Sequence, residues 1–438
     1  MTDTPASPRA MLSISDGVAI VVGIVIGSAI FETPSLVAAN TGHPSLLIFV
    51  WILGAAISVV GALCYAELSA TYPDAGGDYH FLDRAWGRSV AFLYGWARMT
   101  VIQTGSIALI AFVFGDYASQ IFRLGTHSSA IYAAVTVLLL TGVHLIGLPS
   151  SRLGMRWLTG AQMAGLLLLI GAGFFARADA AAVPHELQPM TPGSFGLAMV
   201  FVLLSYGGWN EAAFVSAELH DPKRSVVRVM LFSIAIVGTV YVLVNVVLLR
   251  GLGISGMADS DAVAADLMRA VAGERVAVMV SLLVMACAAA SINAMIFTGA
   301  RTTYALGRDC HGLRALGRWR AGGSVPANAL VLQIIIILGL IAFGAARRKG
   351  FETMVDYTAP VFWLFFLLTT LSLIRLRRKD PRPRPFAVPL YPATPILFAL
   401  VCAYLLYSSV MYTGMGAIVG LAMVAVGFPV MWICSVNR

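Results

Sequence analysis

Ser205-Tyr206-Gly207-Gly208-Trp209-Asn210 lies in the middle of an apolar stretch that runs from Phe195 to Glu218. The stretch is long enough to cross a bilayer as a helix, which takes about 20 apolar residues. The paired glycines weaken helix propensity at its centre, by about 1 kcal/mol each relative to alanine. A second interruption, Gly27-Ser28-Ala29, falls inside the first apolar stretch, Asp16 to Asn40. Gly27 lies about 16 Å along a helix from Asp16, and Gly207 about 18 Å from Phe195. Both breaks therefore fall near the middle of a hydrocarbon slab about 30 Å thick. Two glycine-broken spans in corresponding positions of two halves point to a transporter binding site.

Composition agrees with a membrane setting. Hydrophobic residues make up 59% of the 438-residue chain and charged residues 11%, with a mean hydropathy of +0.85. Soluble domains carry about 25% charged residues. The pattern predicts an all-α polytopic membrane protein of about twelve transmembrane helices. The polar start of the chain, Met1 to Ala10, lacks a signal peptide's basic region and cleavage site, so no processing is expected there. Cys64, Cys287, Cys310, Cys402 and Cys434 form no C-x-x-C and read as small buried apolar residues rather than a disulfide framework or a metal site. The net charge of +8 resides mostly in loops, where it sets topology and does not argue for a nucleic-acid partner. Arginines and lysines concentrate in the segments around residues 84–88, 152–156, 223–228, 301–320 and 375–384. That asymmetry places both termini in the cytoplasm, with Arg347-Arg348-Lys349 as the one discordant cluster.

With these orientations the first and sixth spans run in opposite senses. The expected organisation is a short tail (residues 1–15), a five-helix repeat (16–176), a second inverted five-helix repeat (195–374) and two closing helices (395–438). Arg177–Ser194, Arg250–Glu274, Arg308–Pro326 and Arg375–Tyr391 are the longer loops, none long enough for a second domain. Gly251-Leu252-Gly253-Ile254-Ser255-Gly256 matches a dinucleotide fingerprint but lacks its strand–turn–helix context, and is read as a flexible turn. No Walker-type G-K follows, which excludes an ATP-driven pump in this chain. No cofactor is expected.

A broken helix offers N–H groups at one half's N-terminus, suited to a carboxylate, and carbonyls at the other half's C-terminus, suited to an ammonium. An α-amino acid carries both groups and needs no charged side chain to be held. The competing reading is that Gly23 and Gly27 only permit close helix packing, as in G-x-x-x-G.

Several motifs resemble those of the amino acid–polyamine–organocation superfamily. Gly23-x-x-x-Gly27-Ser28-Ala29-Ile30-Phe31-x-x-Pro34 is similar to its first-helix signature. Tyr65-Ala66-Glu67-Leu68 with Tyr72-Pro73-x-Ala75-Gly76-Gly77-x-Tyr79 resembles the end of its second helix. Tyr206-Gly207-Gly208-Trp209-Asn210, with Glu218 and Asp221-Pro222, resembles the sixth helix of the L-type amino acid transporter branch. Arg301-x-x-Tyr304-Ala305-x-x-Arg308-Asp309 resembles the end of the eighth. The resemblance implies a LeuT-like fold of 5+5 inverted repeats with discontinuous helices 1 and 6. It also implies secondary transport of an amino acid by alternating access, in the plasma or inner membrane. The substrate carboxylate would meet amides at Gly27, Ser28 and Ala29. Its amino group would meet carbonyls near Val25, Leu204 and Ser205, with Gly207 and Asn210 close by.

Four departures from the family pattern bear on mechanism. Ala29 stands where a glycine is usual and narrows the carboxylate pocket. Leu204 stands where the L-type branch often has a gating phenylalanine. Thr159-x-x-Gln162 occupies the place of a lysine found in some proton-coupled relatives, and Ala290-Ser291 the place of a hydroxyl pair found in sodium-coupled ones. Neither coupling mechanism carries over intact. Gln162 and Ser291 remain coupling candidates by position. Glu32 and Glu211 join them as intramembrane carboxylates flanking the two breaks. No intramembrane lysine is available to Glu211, and an unpaired carboxylate in a low dielectric favours its protonated form, so protons are a possible coupling partner. The same two carboxylates would serve a polyamine or organic-cation carrier. A membrane-bound amino acid sensor and a channel are the rivals from other classes, although no ring of charged pore residues is evident.

Overall fold

The computed structural model describes residues 13–74, 76–146, 152–175, 191–215, 219, 222–318, 326–347 and 349–436. The first span is broken as expected. Helix α1 (Ile14–Val25) starts at a capping box in which Ser13 and Asp16 satisfy each other's backbone N–H groups. It stops at Ile26, a 3₁₀ turn follows over Ser28–Phe31, and α2 (Thr33–Thr41) completes the crossing. Gly42, at φ +62°, ends α2 in the left-handed conformation that glycine adopts without strain.

Helix α3 (Pro44–Thr71) crosses unbroken. A short α4 (Asp78–Trp86) follows, where the sequence suggested only a loop. The third span is not uniform. It consists of α5 (Arg88–Ala97), a π-helical turn over Arg98–Ile102, and α6 (Gln103–Ile121). Next come α7 (Ser128–Ile146) and α8 (Arg152–Phe174). The sixth span opens at a second capping box, Thr191 with Ser194, with Pro192 in the first helical turn. It runs as α9 (Pro192–Ser205), a 3₁₀ turn at Trp209–Glu211, and the single-turn α10 (Ala212–Val215).

Helix α11 (Pro222–Ala258) extends past the expected end of its span, bends at Gly253 (φ +69°), and is followed by α12 (Val263–Ala272). The region read as the loop Arg250–Glu274 is thus largely helical, and the glycine-rich decoy forms the bend rather than a flexible turn. The chain then continues as α13 (Glu274–Asp309), α14 (Ala327–Arg347), α15 (Gly350–Lys379), α16 (Ala393–Tyr412) and α17 (Gly414–Val436). Among the described residues ten helices are long and apolar enough to cross a membrane. The broken first span and α8 bring the crossings to the expected twelve or so.

The core sits around the two breaks. Helix α11 lies along α3 and packs on α1, while α13 and α15 pack against α6. Trp51, Tyr206 and Tyr241 form a buried aromatic cluster directly behind the breaks, with ring centroids 5.2–5.8 Å apart. Such edge-on pairs add about 0.5–1.5 kcal/mol each beyond their buried area.

One sequence expectation needs correcting here. Cys310 and Cys434 form a disulfide between the end of α13 and α17, rather than being two isolated apolar residues. They are 124 residues apart, and no local spacing signals a contact made by packing distant helices. Cys64, Cys287 and Cys402 are buried free thiols, as read from the sequence.

Candidate functional site

The two breaks meet, and one side chain spans them. The Tyr241 hydroxyl on α11 donates to the carbonyl of Val25 at 2.8 Å and lies 3.3 Å from that of Ser205. Both carbonyls lie at the breaks and converge on a single oxygen, and Val25 O also accepts the N–H of Gly27 at 2.7 Å. The Ser205 hydroxyl donates to Thr33 Oγ1 at 2.9 Å, tying the end of α9 to the start of α2. Tyr206 donates to the carbonyl of Trp51 at 3.1 Å and so fixes the second break against α3. Tyr241 had no signal in the sequence: it is one aromatic in an apolar span, recognisable only once the breaks are placed beside it.

The glycines at the breaks do different work. Gly208 sits at φ +103°, and a Cβ there would come within 3.2 Å of Ile24 and 3.4 Å of Val25. Gly207 donates its N–H to Leu204 O at 3.0 Å, and a Cβ there would press on that same oxygen at 2.8 Å. Both are therefore needed by the backbone itself. Gly27 is different. Its backbone is extended (φ −90°, ψ −172°), and an added Cβ would meet only the carbonyls of Ile24 and Val25 at 3.8–3.9 Å. Neither conformation nor helix packing demands a glycine at residue 27, so the close-packing reading of G-x-x-x-G gains nothing at this position.

The structure brings most of the expected substrate residues together at the breaks. Val25 ends α1, Gly27 is the extended link, and Ser28 and Ala29 open the 3₁₀ turn. The side chain of Ser28 lies outside the described residues. Leu204 and Ser205 end α9, Gly207 is in the turn, and Asn210 is buried in the second 3₁₀ turn. Beside that turn an enclosed cavity of about 10 Å³ is lined by Ser58, Leu203, Gly207, Trp209 and aromatic residues of α15 and α16. That is room for about one water molecule, so the packing beside the second break is closed in this conformation.

The coupling candidates are more dispersed. Glu32 links the first 3₁₀ turn to α2 and makes no side-chain cap; its Oε2 is buried without a hydrogen-bond partner among the described residues. Next to it, Tyr117 donates to Phe31 O at 2.9 Å and accepts from the amide of Ala264 at 3.3 Å, holding the turn against α6 and α12. Ser291 is half-buried on α13. The side chains of Thr159 and Gln162 on α8 lie outside the described residues, as does Glu218.

Glu211 is the clearest revision. The sequence left it unpaired because it considered lysines, yet Arg98 Nη2 lies 3.3 Å from Glu211 Oε1. Arg98 also donates to the Tyr94 hydroxyl at 3.1 Å, which in turn donates to Asp78 Oδ2 at 3.2 Å. Burial pushes the Asp78 carboxyl, on the short α4, up to about 6, against the pull of Arg98. Arg98 opens the π-helical turn of the third span, a feature often found at functional sites. A hydroxyl from α15 fills part of the resulting gap, Tyr357 donating to Thr100 O at 2.8 Å. A chain of polar groups thus runs from α4 through the third span to the C-terminal half of the sixth.

Comparison with known proteins agrees with this geometry. The family model described as amino acid permease matches residues 12–434. The chain is 29% identical over 408 residues to the mouse b(0,+)-type amino acid transporter 1, covering 90% of this chain and 81% of that one. It is 31% identical over 430 residues to the human large neutral amino acids transporter small subunit 2, covering 94% and 78%.

Proposed function

Because this chain belongs to the amino acid permease family, we propose that it is a secondary transporter that carries an amino acid across the membrane by alternating access. The observation that carries the reading is the meeting of two broken helices at Tyr241, which gathers the C-terminal carbonyls of α1 and α9 at one hydroxyl, with the start of α2 tied to the same place through Ser205 and Thr33. The carboxylate would bind the amides at Gly27, Ser28 and Ala29, where a Cβ at Gly27 would meet no clash and the Gly27 N–H is held by Val25 O until substrate takes it. The ammonium would bind at the Leu204 and Ser205 carbonyls and, by displacing the Tyr241 hydroxyl, at that of Val25, near Gly207 and Asn210. The closed packing beside the second break means that helices must separate to admit substrate, as alternating access requires. The relatives are transporters rather than enzymes, and no catalytic step is assigned. The setting that fits best is a plasma or inner membrane with both termini cytoplasmic and the two repeats bounded as the sequence suggests.

Glu211 is our leading coupling residue. Movement of the C-terminal half of the sixth span away from Arg98 would part the Glu211 carboxylate from its guanidinium partner, and that separation is the step we assign to coupling. Glu32, Gln162 and Ser291 follow it. The deciding experiment is counterflow in proteoliposomes across the set of amino acids. Saturable counterflow of at least one is expected. Binding without counterflow would make the chain a sensor, and flux without saturation a channel.

A further inference from the structure

At the C-terminal end of α15 the charges and rings are arranged in a way that substrate transport does not use. Glu67 is fully buried and accepts from Arg377 with both oxygens, from the amide of Val388 at 2.7 Å, and lies 3.9 Å from Arg384. Asp380 accepts from the Tyr72 hydroxyl at 2.9 Å and from Arg382 at 2.9 Å. These contacts pin the segment after α15 and engage Glu67 and Asp380. Positive charge is left over. Arg84, Arg375, Arg378 and Lys379 are all exposed, and among the described residues none has a carboxylate partner.

Two of these cations are held against aromatic rings. Arg84 lies 4.7 Å from the Tyr72 ring centroid and Arg375 lies 4.6 Å from that of Trp86. Trp86 is itself fixed by its indole N–H, which donates to Ser372 at 2.8 Å. Lys379 reaches the carbonyl of Arg84 at 3.4 Å, which joins the α4 and α15 parts of the patch. An open groove of about 430 Å³ runs alongside, lined by Arg377, Asp380, Pro381, Arg382, Arg384 and Ala387. Tryptophan and tyrosine mark the headgroup depth of a bilayer. Leu390, three residues on from Ala387 of the groove, is 82% exposed, and Ile396, Leu397 and Leu400 at the start of α16 are exposed as well.

We propose that this ledge binds the phosphodiester headgroup of an anionic glycerophospholipid, with its acyl chains lying along the exposed face of α16. Charge complementarity selects the occupant. A guanidinium stacked on a ring keeps its edge N–H groups free, and these match phosphate oxygens in planar geometry. Basic clusters next to a membrane helix are the usual sequence correlate of such contacts. Positive charge retained only to set topology would need neither ordered rings nor a groove.

The test uses the full-length protein purified in a neutral detergent. Dioleoyl-phosphatidylglycerol, dioleoyl-phosphatidylcholine and inorganic phosphate are titrated separately, reading the thermal midpoint and the lipid retained by native mass spectrometry. Phosphatidylglycerol is expected to raise the midpoint and remain bound, with the effect weakening at high salt. In the triple variant Arg375→Gln, Arg378→Gln, Lys379→Gln the half-saturating lipid concentration should rise about tenfold or more. Arg378→Gln alone removes a residue with no acidic partner, so it keeps the test open if the triple variant does not fold; a shift of about fivefold is expected for it. Equal retention of phosphatidylcholine, an unchanged titration in a folded variant, or the same midpoint shift with inorganic phosphate would each overturn the proposal.

Discussion

At the scale of single residues, two glycines near the same point make opposite predictions. Gly208 holds a left-handed backbone against the end of α1, so Gly208→Ala adds strain and a close contact. It should lower stability by about 1–3 kcal/mol, read as a lower thermal midpoint, before transport is considered. Gly27 has an ordinary extended backbone, and a Cβ there would meet its neighbours only at ordinary contact distance. Gly27→Leu should therefore fold and insert normally, with an unchanged midpoint, yet lose counterflow because the side chain fills the proposed carboxylate site. Normal counterflow in that variant would remove Gly27 from the site, whatever the fold. The sequence made both glycines visible as helix breakers. It could not separate them, because a one-letter break carries neither a φ angle nor the identity of what packs against it.

At the scale of elements, the two broken helices were legible and the third irregular span was not. Breaks one and six coincide with glycine, which weakens a helix wherever it stands. The π-helical turn contains Arg98, Met99, Thr100, Val101 and Ile102, none of which breaks a helix by propensity. It exists because of tertiary contacts such as Tyr357 to Thr100, and those have no local signature. The Arg98–Glu211 pair was hidden for the same reason: its partners are 113 residues apart. This pair supports a double-mutant test. Arg98→Gln and Glu211→Gln should each lower stability by about 1–3 kcal/mol, less than a fully buried pair loses because both groups are partly exposed. The double variant should cost less than the sum, since neither leaves a stranded charge. If Glu211 carries the coupling proton, Glu211→Gln will also fail to accumulate substrate under a pH gradient while counterflow of labelled substrate survives. Accumulation by the Gln variant, driven by pH alone, would exclude Glu211 from coupling.

At the scale of the whole molecule the question is what drives it, and the arrangement of polar groups between helices bears on sodium. A sodium site in this architecture needs several oxygen atoms around one point, drawn from an unwound first helix and hydroxyls on the eighth. In this chain the eighth-helix position offers Ala290-Ser291, one hydroxyl where a pair would be needed. The carbonyls released by the first break are also engaged: Val25 O receives Tyr241, and Ala29 O receives the amide of Glu32. A cation would have to compete with those donors for the same oxygens. The third span offers a different resource, a connected line of ionisable and hydroxyl groups from Asp78 through Tyr94 and Arg98 to Glu211. Such a line can hold a proton at the Asp78 end, although Arg98, which stays protonated, cannot pass it on, and it has no cluster of uncharged oxygens for sodium. Replacing external sodium with choline should therefore change initial uptake by less than about twofold, compared in the same proteoliposomes at fixed pH and membrane potential. Collapsing the pH gradient with an ionophore in those vesicles should reduce uptake far more. Uptake that stops in choline and persists without the pH gradient would assign the coupling to sodium and place its oxygen ligands outside the residues named here.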